Sequence, residues 1–260
     1  MLGPILFTIF INDLPECVQS CCKVFADDTK IYCLKIQEDI YRLQEWSDMW
    51  NLYCNVTKCK VMHIGRKNEK DDYKMKVNEN EHRSIAKCNE EKDMGIIFDK
   101  SFSFDVHVQS CINKANKMID IIKRTFTFLD KEIFNNLYKA LVQPHLESGN
   151  VIWSSYLKRQ SVTSERVQRR ATTLNYTQRL KKLDLPTLKY RRFSGDLIQV
   201  YKIINQIDDL KVDTFFTPTK LNITRNAEYK LYVEYSKKKK KMLESSPLAI
   251  ELHQHGMHFH

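Results

Sequence analysis

The spacing of the apolar residues changes near residue 104, and this change limits the chain to an α+β fold in two main regions. Before residue 104, short runs of strand-forming residues alternate with turns. Residues 106–127 instead place their apolar side chains in alternating steps of four and three, as on one face of a helix, at Val108, Ile112, Ala115, Ile119, Ile122 and Phe126. We therefore predict helices and antiparallel hairpins over 1–104, an all-helical region over 105–206, and a basic, poorly ordered tail over 207–260.

The N-terminal region is predicted to contain two helices and a hairpin. Residues 4–14 are apolar nearly all round, and Pro4 is well tolerated in a first helical turn, so we expect a buried helix there. Residues 23–26 and 29–34 form the predicted hairpin. A second helix carries one apolar stripe, made of Ile36, Ile40, Leu43, Trp46 and Trp50.

Further strands and helices follow from the same patterns. A short strand is predicted through Cys59 to Gly65, an exposed and mobile hairpin or loop over the charged residues 66–92, and a second hairpin around the D-K-S turn at 99–101. In the helical region we expect a helix over 130–143 that ends at Pro144. Two more helices are expected, one carrying Arg166, Arg169 and Arg170 opposite Val167, Ala171 and Leu174, and one over about 190–206.

Two aspartates stand side by side in V-F-A-D-D-T-K-I-Y, at the tip of the first predicted hairpin. Aspartate is a common turn residue because its side chain hydrogen-bonds to its own backbone, so an ordinary turn explains the pair. Two close carboxylates also repel each other unless a cation neutralises them, so a metal site explains it as well. Considered alone, Asp27 and Asp28 leave both explanations open, and the turn is the commoner one.

The charge of the chain is unevenly distributed. Residues 1–100 contain 15 Lys and Arg against 17 Asp and Glu, a net charge of −2, whereas residues 101–260 contain 27 against 15, a net charge of +12. Such an asymmetry is expected when one region does chemistry around acidic groups and another binds phosphates. A solvated basic surface is the alternative, and we favour a nucleic-acid partner.

The cysteines and the apolar runs exclude several classes of protein. The eight cysteines form no C-x-x-C pair and no regular framework, which favours reduced thiols in the cytoplasm or nucleus over a secreted scaffold. The apolar start lacks the basic region and cleavage site of a signal peptide. No apolar run approaches the roughly 18 residues that a membrane span needs. We expect an intracellular protein that is not inserted in a membrane.

A series of motifs in a fixed order resembles the reverse transcriptase of jockey-type non-LTR retrotransposons. The series runs from L-G-P and F-A-D-D through N-V-T-K-C-K-V-M-H-I-G and E-K-D-M-G-I-I-F-D. It continues through F-L-D-K-E-I-F-N-N-L-Y-K-A-L-V-Q-P-H-L, E-R-V-Q-R-R-A-T and L-P-T-L-K-Y-R-R, so that it covers roughly residues 2–206. A lone D-D is weak support, but the ordered series is specific.

The resemblance implies a fold and a metal site. It implies that residues 1–104 are the C-terminal part of a polymerase palm and that residues 105–206 are a helical thumb and its continuation. Asp27 matches the metal-binding carboxylate usually required in that family, and Asp28 matches its less critical neighbour. The implied cofactor is Mg²⁺ or Mn²⁺, since phosphoryl transfer with two metal ions activates the primer 3′-hydroxyl and stabilises the leaving pyrophosphate.

The resemblance also implies residues that contact nucleotide and nucleic acid. Lys58 matches a lysine near the phosphates of the incoming deoxynucleotide, although a solvated surface lysine is an equally good explanation. Gly3 and Pro4 match the turn before a helix that lies against the template strand and the nucleotide pocket, although the start of a helix alone also explains them. Residues 94–98 match a hairpin that positions the primer end, with an ordinary β-hairpin as the alternative. The implied phosphate contacts to an RNA template and DNA primer are Lys114, Lys117, Arg124, Arg166, Arg169 and Arg170.

One element of the family pattern is missing. The family places a third carboxylate on a strand that precedes the Gly-Pro helix, and this sequence begins at that helix. Asp13, Asp93 and Asp99 lack the strand context to replace it, so we expect the isolated chain to have no polymerase activity. The alternatives are a non-catalytic nucleic-acid-binding remnant and, less favoured, a small metal-dependent nuclease.

Overall fold

A computed structural model describes residues 2–33, 36–65, 68–78, 81–126, 128, 130–153, 158–171, 186–216 and 250–253, with the backbone alone at 158–159 and 250–253. The chain divides into two compact units. The first, here called the sheet unit, comprises residues 1–103 and 236–260, and the second, the helical unit, comprises residues 104–235. Each unit is described by itself. The lysine run at 237–241 and the histidines at 255, 258 and 260, which belong to the predicted basic tail, lie outside the described residues.

The sheet unit combines two helices with short strands. Its elements are helix α1 (Gly3–Phe10), a 3-10 turn (Leu14–Cys17), β1 (Cys21–Phe25), β2 (Asp28–Cys33), helix α2 (Gln37–Met49), β3 (Lys60–Met62), β4 (Lys74–Asn78), β5 (Glu81–Ser84), β6 (Ala86–Cys88), β7 (Glu90–Asp93), β8 (Ile96–Asp99) and β9 (Ile250–His253). A five-stranded sheet has the order β1-β2-β9-β3-β6, in which only β3 and β6 are parallel. The pairs β4–β5 and β7–β8 are separate antiparallel hairpins. The α+β expectation is confirmed.

The core of the sheet unit lies between α2 and the strands. The predicted stripe on α2 is confirmed for most of its members, because Ile36, Ile40, Leu43 and Trp46 are buried, whereas Trp50 is 43% exposed. Ile36, Ile40 and Leu43 of this stripe pack with residues from the strands and loops, namely Val18, Ile31, Cys59, Val61, Tyr73, Met75 and Ile85. The amphipathic period of α2 therefore sets which side of the helix faces the strands.

Two glutamines of α2 hold the hairpin β4–β5 in place. The side-chain amide of Gln37 donates to Lys74 O and accepts from Lys74 N, both at 2.8 Å. About two helical turns further along, on the same face of α2, Gln44 makes the same pair of hydrogen bonds with Lys76, at 2.7 and 3.0 Å. The expectation of an exposed hairpin or loop over 66–92 is therefore only partly right, since the hairpin forms but Tyr73, Met75 and Ile85 beside it are buried.

Asp39 on α2 ties the start of β1 to the helix. Its carboxylate accepts hydrogen bonds from Gln19 N at 2.9 Å, from Ser20 N at 3.0 Å, from the Ser20 hydroxyl, and from Arg42 Nη1 at 2.8 Å. Burial acts to raise the pKa of Asp39, but the bonds from Ser20, Gln19 and Arg42 outweigh it and leave the pKa below its ordinary value. The loop that leads into the aspartate hairpin is thus held by a buried carboxylate.

The prediction of a long buried helix at 4–14 is wrong in both length and burial. Helix α1 ends at Phe10, and the chain then enters the 3-10 turn that contains Pro15. No residue of α1 is buried, and Leu2, Ile5, Leu6 and Ile9 are 56–71% exposed. The apolar composition was sufficient to predict a helix, but only the side of α1 that carries Phe7 and Phe10 packs against the cluster around Trp46.

The second hairpin forms around a different turn from the one predicted. Its strands β7 and β8 are joined by Met94 and Gly95, which have φ of 43° and 86°, as a tight two-residue hairpin turn requires. The D-K-S segment instead leads out of β8. There Asp99 accepts hydrogen bonds from Ser101 N at 2.9 Å and from Ser103 N at 3.2 Å.

The helical unit consists of α3 (Asp105–Thr125), α4 (Lys131–Leu137), a π-helical turn (Tyr138–Val142), α5 (Gln143–Glu147), α6 (Asn150–Trp153), α7 (Lys158–Arg170), α8 (Leu188–Ile204) and α9 (Val212–Phe215). The predicted apolar face of α3 is confirmed for Val108, Ile112, Ala115, Ile119 and Ile122, which are all buried, but not for Phe126, which follows the end of the helix and is 39% exposed. Within the described ranges, every helix is too short or too polar to span a lipid bilayer.

The expected helix end at Pro144 is also wrong. The backbone widens to the π-helical turn and a new α-helical segment starts at Gln143, so that Pro144 occupies a first turn, where its missing N–H is not needed. The helical path therefore continues to Glu147. The carboxylate of Glu147 then pairs with Arg191 of α8, with Nη2 at 2.9 Å from Oε2.

We predict that Asp39→Asn lowers the free energy of unfolding by about 2–3 kcal/mol at pH 7, because charge-assisted hydrogen bonds are lost. Since the folded pKa of Asp39 lies below the ordinary 3.8, its contribution is present above about pH 4 and is lost as the pH falls through the folded pKa. Urea unfolding at pH 7 and pH 3 measures both effects. Glu45→Gln, an exposed charge on the same helix, is the control, and an equal effect of the two substitutions would contradict the prediction.

Candidate metal centre

The two aspartates lie at the tip of the β1–β2 hairpin. Phe25 pairs with Asp28 in the antiparallel register, so Ala26 and Asp27 alone form the turn. Both strands begin earlier than predicted, β1 at Cys21 instead of residue 23 and β2 at Asp28 instead of residue 29, and Ala26 belongs to the turn instead of to the first strand. Asp27 is exposed at the turn, and Asp28 is half-buried beside it.

Ala26 holds a backbone conformation that is unfavourable for alanine. Its φ is 52°, a left-handed value that costs an L-residue with a Cβ about 1–2 kcal/mol. Glycine or asparagine is the usual residue in such a turn. Strained residues of this kind cluster at functional sites, where the rest of the structure holds them in place. Met94, the first turn residue of the hairpin β7–β8, also has a positive φ, so the conformation of Ala26 follows from closing a hairpin in two residues and is compatible with both an ordinary and a functional turn.

A cleft of about 580 Å³ connects the turn with the start of α1. Its lining consists of Gly3, Pro4, Leu6, Phe7, Phe10, Ala26 and Asp27. Three residues that the resemblance implied, namely Gly3, Pro4 and Asp27, are thus brought together. A side chain at Gly3 would meet no atom within 4 Å, so the space beside the beginning of α1 is open. The Asp27 carboxylate is the charged group in an otherwise apolar lining.

Aromatic contacts fix α1 against α2 beneath this cleft. The ring centroid of Phe10 lies 5.1 Å from that of Trp50 and 6.3 Å from that of Trp46, both in edge-to-face geometry. Val24 of β1 packs against the same cluster, which also contains Ile11, Leu14, Trp46 and Leu52. The helix and the aspartate hairpin therefore share one apolar support.

Two ion pairs connect the hairpin β7–β8 with the sheet. Asp93 pairs with Lys30, two residues after Asp28; the side chain of Lys30 is buried and that of Asp93 is half-buried. Glu91 pairs with Lys60 of β3 at 2.7 Å. Sequence reasoning missed both pairs. The available signal was the two-residue spacing of Glu91 and Asp93, which places both carboxylates on one face of a strand.

The other predicted site residues lie elsewhere. Lys58 is exposed in a turn, where its N–H donates to Asn55 O at 3.0 Å, and it is not part of the cleft lining. Among the proposed substitutes for a third carboxylate, Asp93 pairs with Lys30 and Asp99 accepts from Ser101 and Ser103. In the part of the chain that the structure describes, no three His, Cys, Asp or Glu side chains form a metal-binding group.

The six basic residues predicted to contact nucleic acid are all exposed, at Lys114, Lys117, Arg124, Arg166, Arg169 and Arg170. The first three lie on the side of α3 opposite its buried face. Arg170 has a structural contact as well, since its Nη2 lies 2.9 Å from Oδ1 of Asp120 on α3. The backbone oxygen of Arg170 accepts from Lys123 Nζ at 2.9 Å, so this arginine helps to join α3 and α7.

Among curated proteins, the chain is similar to the RNA-directed DNA polymerase from mobile element jockey of Drosophila funebris. The two are 28% identical over an alignment of 170 residues, and the match covers 56% of this chain and 18% of that protein. The chain therefore spans less than a fifth of the length of the relative that it matches. No family model and no solved structure matches the chain. The resemblance to a jockey-type reverse transcriptase is confirmed by this relative.

We predict that Ala26→Gly raises the free energy of unfolding by about 0.5–1 kcal/mol. The gain from relieving the left-handed φ exceeds the greater chain entropy that glycine has when unfolded. Ala86→Gly is the matched control, because Ala86 is an exposed strand residue without positive φ and its replacement is expected to destabilise by about 0.5–1 kcal/mol. Thermal unfolding of both variants checks that Ala26→Gly stabilises the chain and that Ala86→Gly destabilises it. A loss of stability in Ala26→Gly would contradict the strain at Ala26.

Proposed function

We propose that this chain is a portion of a jockey-type RNA-directed DNA polymerase in which Asp27 and Asp28 bind a divalent metal ion. The observation that carries the proposal is the position of Asp27, at the tip of a strained two-residue turn and in the same cleft as Gly3 and Pro4. On this proposal, the sheet unit corresponds to the C-terminal part of a palm and the helical unit to a thumb.

The carboxylates of the turn fit the proposed metal ion. Mg²⁺ and Mn²⁺ prefer oxygen ligands, and Mg²⁺ retains several waters, so one or two carboxylates on a rigid turn suffice to hold it. Asp27 is exposed, and Asp28 is the next residue on β2. When bound, the metal would lower the pKa of a primer 3′-hydroxyl and neutralise charge on the pyrophosphate. The role of the chain's own residues is to hold two carboxylates at a fixed place beside the cleft.

The same geometry argues against polymerase activity of the chain alone. Nucleotidyl transfer needs ligands for two metal ions and groups that hold the nucleotide. The described residues offer the pair Asp27 and Asp28 but no third metal-binding side chain next to them. A loss of several kcal/mol of transition-state stabilisation corresponds to orders of magnitude in rate. We therefore infer that the isolated chain extends primers poorly or not at all.

The helical unit supports a second candidate function, that of a nucleic-acid-binding remnant without catalysis. Its exposed basic residues lie in a region of the sequence with a net charge of +12. Cationic side chains on a helix surface bind phosphates without reading the sequence. The proposed partners are an RNA template and a DNA primer. The eight free cysteines support a reducing compartment, the cytoplasm or the nucleus.

We predict that the full chain binds Mn²⁺ and that Asp27→Asn weakens this binding at least about tenfold, because a charged oxygen ligand becomes a neutral amide. Electron paramagnetic resonance of free Mn²⁺ during a titration measures the affinity. Asp13→Asn, an exposed carboxylate of the same unit, is the control and should leave the affinity unchanged. Equal affinity of the wild-type chain and Asp27→Asn would contradict the proposed metal site.

The predicted lack of activity is checked by primer extension on a poly-rA template with an oligo-dT primer, with Mg²⁺ and with Mn²⁺. We expect no incorporation of deoxynucleotides above background. Incorporation by the wild-type chain that disappears in Asp27→Asn would overturn the inferred lack of activity while supporting the metal site. Incorporation that persists in Asp27→Asn would contradict the role of this carboxylate.

We further predict that the full chain binds an RNA–DNA duplex with a strong dependence on salt. Each phosphate contact contributes about −0.9 to the slope of log affinity against log salt in B-DNA, so Arg166→Gln/Arg169→Gln should make the slope about 2 less steep. Fluorescence anisotropy between 50 and 300 mM salt measures the slope. Lys131→Gln/Lys139→Gln, with the same loss of charge on α4 and the π-helical turn, is the control. Binding that does not respond to salt would contradict a phosphate-binding role.

A further inference from the structure

The side chains of β2 alternate between a core face and a face that carries charge. Thr29 and Ile31 are buried at 2% and 1% exposure, and Ile31 belongs to the core beneath α2. Because successive strand residues point to opposite faces, Asp28 and Lys30 share the other face. Lys23 of β1 stands directly opposite Lys30 in the hairpin register, and cross-strand neighbours lie on the same face. One face therefore holds a proposed metal ligand next to two ammonium groups.

Lys30 is buried, and its charge needs a partner. Its side chain is 7% exposed, and that of its partner Asp93 is 14% exposed. A buried ammonium is costly unless an opposite charge compensates for it. Asp93 lies on β7, at the last position before the turn of the hairpin β7–β8. The compensating charge for Lys30 is thus supplied by a different hairpin from the one that carries Asp27 and Asp28.

Asp28 lies within reach of Lys30. Residues two apart on a strand are separated by about 6.8 Å, and the flexible four-carbon stem of lysine spans such a distance. Without the carboxylate at position 93, the Lys30 ammonium would turn towards Asp28, the carboxylate next to it on the same face of β2. An ammonium on Asp28 would compete with a divalent cation for the same oxygens.

We propose that Asp93 is a positioning residue that holds the Lys30 ammonium away from Asp28, so that this lysine does not compete with a divalent cation at the aspartate turn. The proposal rests on the metal site of the proposed function and deepens it. It makes the affinity of the metal site depend on the docking of β7, since the ion pair exists only while that hairpin lies against β2.

The chain offers a matched control for this proposal. Glu91 stands two residues before Asp93 on the same strand and also pairs with a lysine, but that lysine is Lys60 of β3. Glu91→Gln therefore removes an ion pair of the same hairpin without releasing an ammonium beside Asp28. A general loosening of β7–β8 would affect Glu91→Gln and Asp93→Asn alike, whereas the release of Lys30 affects only Asp93→Asn.

Mn²⁺ titration of the full chain tests the proposal with four variants. We expect Asp93→Asn to weaken Mn²⁺ binding about tenfold, a change of about 1.4 kcal/mol in binding free energy. Glu91→Gln should stay within about twofold of the wild-type chain. Lys30→Met/Asp93→Asn, which removes the released ammonium, should restore the wild-type affinity, and Lys30→Met alone should not weaken it. Equal affinities of Asp93→Asn and Glu91→Gln, or a double variant as weak as Asp93→Asn, would overturn the proposal.

A second readout does not depend on metal binding. Nuclear Overhauser contacts from the Lys30 Hε protons should reach the Asp93 Hβ protons in the wild-type chain and the Asp28 Hβ protons in Asp93→Asn. If the wild-type chain binds no Mn²⁺, the metal site fails, and these contacts still decide whether Asp93 directs Lys30. If Lys30 in Asp93→Asn makes no contact with Asp28, the positioning role is overturned even where Mn²⁺ binds. If Asp93→Asn fails to fold, the Mn²⁺ affinity of Lys30→Met/Asp93→Asn is compared with that of Lys30→Met. Weaker Mn²⁺ binding by the double variant would overturn the positioning role of Asp93.

Discussion

The register of the β1–β2 hairpin determines where the carboxylates of this chain stand. Ile31 is buried in the core beneath α2, and the alternation of strand side chains then assigns Asp28 and Lys30 to the opposite face. A shift by one residue would bring both charges into the core, so the register is strongly specified. The same register closes the hairpin after Phe25 and leaves Ala26 and Asp27 as the turn. The strain at Ala26 is a consequence of closing the hairpin in two residues.

The elements around this turn are held by different kinds of interaction. Helix α1 is fixed by aromatic contacts of Phe10, the entry to β1 by the hydrogen bonds of Asp39, and the hairpin β7–β8 by the ion pairs of Glu91 and Asp93. A polar or charged contact depends on its partner far more than an apolar contact does, because a buried charge left alone is costly. The position of the aspartate turn is therefore robust, whereas its electrostatic surroundings depend on single residues.

Periodicity and turn chemistry were sufficient to predict the α+β class, the aspartate hairpin and the apolar faces of α2 and α3, because these features follow from local spacing. Three expectations failed for reasons that lie outside local spacing. The burial of α1 depends on how many of its sides have a neighbour. Whether the helix ends at Pro144 depends on whether the backbone can widen to a π-helical turn before it. The turn of the second hairpin depends on Met94 and Gly95, which adopt positive φ. Of the candidate site, the motifs indicated Gly3, Pro4 and Asp27. The spacing of Glu91 and Asp93 could show that one strand face carries two carboxylates, but it could not show that Asp93 pairs with Lys30, which is far away in sequence.

A direct measurement of the metal position tests the central claim, which is that the aspartate turn is an inherited metal site. Crystals of the full chain soaked in Mn²⁺, with diffraction recorded for anomalous scattering, locate the ion independently of any activity. The account predicts an anomalous peak at about 2.1 Å from a carboxylate oxygen of Asp27, beside the cleft that begins at Gly3 and Pro4. Anomalous peaks found only at other carboxylates, with none at Asp27, would contradict the metal site and would mean that Ala26 and Asp27 form an ordinary hairpin turn.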